Sequence, residues 1–229
     1  PYKTTTRNST PVLQKEDIAH LKHFVIVTAL YELTQIIINN GDILLVKHFF
    51  DTRSAGLYSS MALIGRAVYF VAWMFVMLLL PEVVKLQKEG KDTKKLFFKY
   101  LGMIAALTTG VVIVNLLFPK LIVSILFGDA YLEIAPLLWK YALASSLFAL
   151  ANVFVYYFLS LDKYLPVLLS GVFGLAQLAA IVLWHSSLEQ VVLVQVAIMC
   201  SLLLFQGLYF LYQVKSSAHR NQSPTRRRS

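Results

Sequence analysis

The chain has 229 residues, of which 58% are apolar and only 14% charged, and its mean hydropathy is +0.65. That leaves too little polar matter to cover a soluble globule of this length and places the chain in a bilayer. The net charge of +9 follows the membrane topology derived below and does not call for nucleic acid as a partner.

Residues 1–20 are polar and lack the apolar core of a signal peptide. Six apolar runs follow, at about 22–46, 57–80, 96–118, 134–160, 165–184 and 189–213, each near the roughly 20 residues that a helix needs to cross the hydrocarbon. They are too long, and alternate too little, for membrane strands. The expected fold is therefore all-α: a polytopic membrane protein with a six-helix bundle over 21–214 and a basic tail over 215–229.

The first run carries "QIIINNGDILLV" at 35–46. At 100° per residue, Thr28, Glu32, Gln35, Asn39 and Asp42 gather within an arc of roughly 80°, leaving Leu33, Ile37 and Leu44 to lipid. Gly41 beside Asn40 weakens the helix there. Either the helix kinks at that point, or it ends near Asn39 and 43–50 run along the interface.

The second run repeats the spacing with Ser59, Arg66, Tyr69 and Trp73. Because it runs antiparallel to the first, Glu32 and Arg66 are expected at similar depth near the midplane, where an ionisable group is expensive without a partner, and they are expected to pair. A charged link over 85–99 leads to the third run. The fourth clusters Tyr141, Ser145, Asn152 and Tyr156 on one side, while Lys140 points elsewhere and is expected to snorkel outward. Gln195 and Gln206 share a side of the sixth, and Cys200 reads as a packing residue.

Basic residues fix the orientation, since Lys and Arg near helix ends are retained inside. With the N-terminus in the cytoplasm, sixteen of the 21 Lys and Arg fall on the inner side and three, Lys47, Arg53 and Lys120, on the outer. Both termini are thus expected inside, with Arg226, Arg227 and Arg228 against anionic headgroups.

No phosphate loop, zinc-protease or paired-cysteine motif is present, and the histidines lie at predicted membrane edges, so no catalytic residue, metal or cofactor is expected. Thr28, Glu32, Gln35, Asn39, Asp42, Arg66 and Asn152 instead form a candidate transport pathway.

Several stretches taken in order resemble a known family. "NNGDILLVKHFFDTRSAGLYSSMALI" places Asp42 at the end of one helix and Gly56 and Tyr58 at the start of the next. Pro81 in "LLLPEVV" ends the second helix and a basic loop follows. "LFPKLIVSILFGDAYLEIAPLLW" and "ALASSLFALANVFVYYFLSLDKY" then match an outer segment and the helix after it. Together they resemble the C-terminal half of polysaccharide exporters, the oligosaccharide-lipid flippases of the superfamily that also holds the multidrug and toxic-compound extruders.

The resemblance implies one of two helical bundles that rock around a hydrophilic cavity, with residues 1–20 as the cytoplasmic linker between halves, the other bundle being an N-terminal half or a second copy. It further implies a lipid-linked glycan as substrate, membrane lipids as surroundings, a bacterial or archaeal cytoplasmic membrane as location, and no enzymatic activity. Two rivals stay open. A drug/cation antiporter of the same superfamily would use Glu32 and Asp42 as cation-binding acids. In a non-transporting scaffold the polar faces would only hold helices together.

Overall fold

The computed structural model describes residues 15–221, and every apolar run lies within a helix. The helices are α1 (Lys15–Phe49), α2 (Thr52–Lys88), α3 (Lys94–Leu117), α4 (Pro119–Phe127), α5 (Leu138–Leu159), α6 (Leu165–Leu183) and α7 (Leu188–Asn221), with a 3₁₀ segment over Asp129–Leu137 between α4 and α5. No strand occurs among the described residues.

Five of these are long and apolar enough to cross a membrane: α2, α3, the 3₁₀ segment with α5, α6 and α7. The expectation was six. At 35 residues, or about 52 Å, α1 has ample length. Its stripe of Glu32, Gln35, Asn39, Asn40 and Asp42 makes it too polar to join the other five on composition.

The outside of the molecule settles its solvent. Leu30, Leu33, Leu44, Leu63, Met74, Leu168, Leu175, Leu204 and Leu208 are all exposed, a density of bare aliphatic surface that water would not tolerate but lipid chains accept. The molecule is a membrane protein. Helix association must then rest on close packing and internal hydrogen bonds, because apolar burial gains little in lipid.

Helix α5 is the axis of the bundle. Of its apolar stretch 78% is buried, against 22% for α3, and it packs on α2, α3 and α7. Small residues let its neighbours approach: Ala142, Ala144, Ser146, Ala149 and Ala151 are all buried. At its C-terminal end Phe97 of α3 stacks on Phe210 of α7 at 4.6 Å and meets Phe154 edge-on at 5.1 Å, an arrangement aromatic rings favour. At the other end Val46, Tyr58, Met61, Val123, Ile134 and Leu138 join α1 and α2 to α4 and the 3₁₀ segment.

Three local expectations need correction. Helix α2 does not stop at Pro81 but runs through it to Lys88. The proline ring lies on the exposed side of the helix, where the carbonyl left without a donor is not locked into packing. The charged link over 85–99 accordingly shrinks to residues 89–93, the rest being helical.

Asn40–Gly41 does not end or unwind α1, which runs on to Phe49. Both Asn39 and Asn40 turn their amide groups back onto the carbonyls four residues earlier. Gly41 serves a contact instead, since a Cβ there would collide with the Leu178 side chain of α6. Cys200, finally, is exposed on α7 rather than packed inside.

Candidate functional site

Helices α1 and α2 form an antiparallel pair joined by residues 50 and 51, and three cross-links at successive depths fix their register. Nearest the α1–α2 turn, Arg66 Nη2 donates to Asn40 Oδ1 at 2.8 Å and to the Asn39 carbonyl at 3.2 Å. One turn deeper, Tyr69 Oη donates to Gln35 Oε1 at 3.1 Å. Deeper again, Tyr156 of α5 donates to Glu32 Oε1 and accepts from Trp73 Nε1 at 3.4 Å.

This register separates the two charges. Arg66 lies level with Asn39 and Asn40, whereas Glu32 lies level with Trp73, seven residues further along α2, or about 10 Å deeper. The expected Glu32–Arg66 pair therefore does not form. The ion pairs among the described residues are Arg53–Glu133, Lys91–Glu89 and Lys140–Glu189. Lys140 is thus tied to Glu189 of α7.

The two charges nevertheless share one compartment. An open cleft of about 190 Å³ between α1 and α2 is lined by Glu32, Gln35, Ile36, Asn39, Asn40, Arg66, Tyr69, Phe70 and Trp73. Its polar atoms are not all used: Arg66 Nε and Gln35 Nε2 are buried without a partner. A guanidinium with a bare N–H in a low-dielectric recess is prepared for an anion with oxygens to offer, phosphate above all. The cleft is smaller than the roughly 300–1,000 Å³ of a complete small-molecule site, as one wall of a larger cavity would be.

Asp42 belongs to a second site, at which its own carboxylate is buried. It is 1% exposed, and its Oδ2 accepts from Tyr58 and Tyr141 at 2.9 Å each and from Gln195 Nε2 at 2.7 Å, which ties α1 to α2, α5 and α7. Its Oδ1 has no partner, and neither has Gln177 Oε1 of α6. Both residues border a void of about 30 Å³, with Asn39, Tyr141, Ser145 and Gln195 around them. That is room for one water or one small cation.

Of the seven pathway candidates, then, Glu32, Gln35, Asn39 and Arg66 line the cleft. Asp42 borders the small void, and Asn39 lines both spaces. Thr28 and Asn152 stand apart: Thr28 Oγ1 is buried without a partner, while Asn152 accepts from Tyr31 and leaves its own amide unpaired inside the bundle. Trp73, Tyr69, Tyr156, Asn40, Gln177 and Gln195 were missing from the candidates although they complete the two sites. The i, i+3, i+7 repeat from Arg66 through Tyr69 to Trp73 was the available signal for two of them. The larger groove between α1 and α6, about 480 Å³, is almost wholly aliphatic and holds none of these groups.

No curated protein and no solved structure matches the chain. A family model does, over residues 2–136, and it describes polysaccharide biosynthesis proteins. That match takes in α1 to α4 and with them all of the cleft contributed by α1 and α2. A membrane-embedded helical chain with this cleft, matched over more than half of its length, belongs to the polysaccharide biosynthesis protein family.

Proposed function

We propose that the chain is one bundle of a flippase that carries a diphosphate-linked oligosaccharide lipid across the cytoplasmic membrane by alternating access. In this reading α1 is a sixth spanning helix whose polar stripe faces a cavity rather than lipid. The basic residues from Lys85 to Lys99 and Lys163 lie on the cytoplasmic side, together with both termini. The cavity's opposite wall comes from a second bundle, an N-terminal half or another copy, and transport needs rocking of one bundle against the other.

The observation that carries the proposal is Arg66, a half-buried guanidinium with an unpartnered Nε in a cleft that opens sideways between two helices. A lipid-linked sugar needs a wet path for its head and none for its tail. Arg66 would hold the phosphates, while Glu32, Gln35 and Asn39 take the place of water around the sugar hydroxyls.

The test is export in cells lacking their own exporter, read as lectin labelling of lipid-linked glycan on the outer surface. Arg66→Ala should abolish labelling and Arg66→Lys retain part of it, because lysine keeps the charge and loses the fork. Unchanged labelling in Arg66→Ala overturns the proposal.

A second reading, cation-driven antiport, is supported by the bare Asp42 Oδ1 and Gln177 Oε1 beside a void of ion size. It predicts that transport collapses in Asp42→Asn while Arg66→Ala is tolerated. The scaffold reading is disfavoured by the unpartnered Arg66 Nε and Gln35 Nε2 in the cleft, polar atoms that holding helices together does not use.

A further inference from the structure

The cleft has a feature that phosphate recognition leaves unused. Trp73 lies seven residues after Arg66, a rotation of nearly two full turns, so both side chains leave the same face of α2 about 10.5 Å apart. The indole is held in place. Its Nε1 donates to Tyr156 Oη, which also holds Glu32, and part of the ring packs against the buried residues around Tyr69 and Phe148. The remainder lines the cleft with Glu32 opposite.

An aromatic face beside a carboxylate is how a pyranose is gripped: its axial C–H groups rest on the electron-rich ring while its hydroxyls donate to the acid. From the Arg66 end, bond lengths of about 1.5 Å put the first ring centre roughly 4 Å from the terminal phosphorus and the second roughly 9 Å. We infer that Trp73 and Glu32 form a sugar subsite for the second residue from the diphosphate, with Arg66 and Trp73 acting as a ruler for the proximal glycan.

This rests on the flippase reading and adds a direction to it. Helix α2 runs inward from Arg66 to Trp73, so the phosphate sits nearer mid-membrane and the sugars lead toward the cytoplasmic side. That is the polarity of a carrier lipid entering from the inner leaflet.

The experiment uses the full chain in nanodiscs of phosphatidylethanolamine and phosphatidylglycerol, titrated with geranyl diphosphate and its conjugates with one and with two linked N-acetylglucosamines. In the wild type the larger gain in affinity, about fivefold, should come with the second sugar. Trp73→Ala should lose that step, read as the ratio of two-sugar to one-sugar affinity within the variant, while Trp73→Phe, which keeps a ring and preserves packing, should retain part of it. Arg66→Ala should weaken all three probes equally.

A second-sugar step that survives in Trp73→Ala, or that is absent from the wild type, overturns the subsite and leaves the flippase reading standing. Geranyl diphosphate binding that ignores Arg66→Ala overturns the flippase reading itself.

Discussion

Gly65 offers a test in which two physical effects have opposite signs. In an exposed helix Gly→Ala stabilises by about 1 kcal/mol, because glycine loses more backbone freedom on ordering. At Gly65 a methyl would sit 2.5 Å from the Ser145 hydroxyl and inside the ring of Tyr141, both on α5. Tyr141 cannot yield cheaply, since it is 6% exposed and its hydroxyl is bound to Asp42 at 2.9 Å. Overpacking costs about 1–3 kcal/mol, and losing a hydrogen bond to a charged group about 1.5–3 kcal/mol. Less the gain in propensity, Gly65→Ala should destabilise by about 1.5–5 kcal/mol. At roughly 2–4 °C per kcal/mol for a chain of this size, the tryptophan-fluorescence melt in detergent should fall by about 3–20 °C. Gly110→Ala is the control: nothing lies within 4 Å of its added methyl, so it should match or exceed the wild type. In a Tyr141→Phe background Gly65→Ala should cost less by about the hydrogen-bond share. A Gly65→Ala variant that melts at or above the wild type refutes the α2–α5 contact and, with it, the placement of Tyr141 on Asp42.

Asp42→Leu should be among the costliest single changes, because it strands donors from Tyr58, Tyr141 and Gln195 at about 1–3 kcal/mol each. Asp42→Asn, which keeps an acceptor, should cost about half as much; equal melting temperatures for the two variants would deny the network its role. Outside the membrane, Asp51 caps α2 by accepting from the Ser54 amide at 3.3 Å, and the Ser54 side chain, followed by that amide, holds its carboxyl below the usual range. A depressed folded value means that the cap is in place above the ordinary carboxylate range and is lost as pH falls through the lower value. The protection of the Ser54 amide against hydrogen exchange, relative to its intrinsic rate at each pH, should therefore fall on acidification in the wild type and show no such step in Asp51→Asn.

What the sequence made legible follows from what periodicity measures. A 3.6-residue repeat reports which side of a helix a residue occupies, so the stripe on α1 and the Arg66–Trp73 face on α2 were both readable, and both line one cleft. It does not report register. Depth was counted from the ends of the apolar runs, but the helices extend beyond those runs, to Phe49 in α1 and from Thr52 to Lys88 in α2. A few residues of error at each end were enough to set Glu32 opposite Arg66 when the two are about 10 Å apart in depth. Nor does periodicity reveal which neighbour a stripe meets. Asp42 shares an arc with Glu32, yet three helices close around the former and only α5 reaches the latter. The same limit explains Gly41, which was read from backbone cost alone although its meaning lies in the approach of Leu178 from a helix more than a hundred residues away. One continuous stripe is thereby divided by its packing partners: its end near the α1–α2 turn becomes a hydrogen-bonded knot joining four helices, and its middle keeps unpartnered polar atoms in the cleft. Asn39 borders both compartments, so any tilt of α1 that widens the cleft must also act on the residues that hold Asp42.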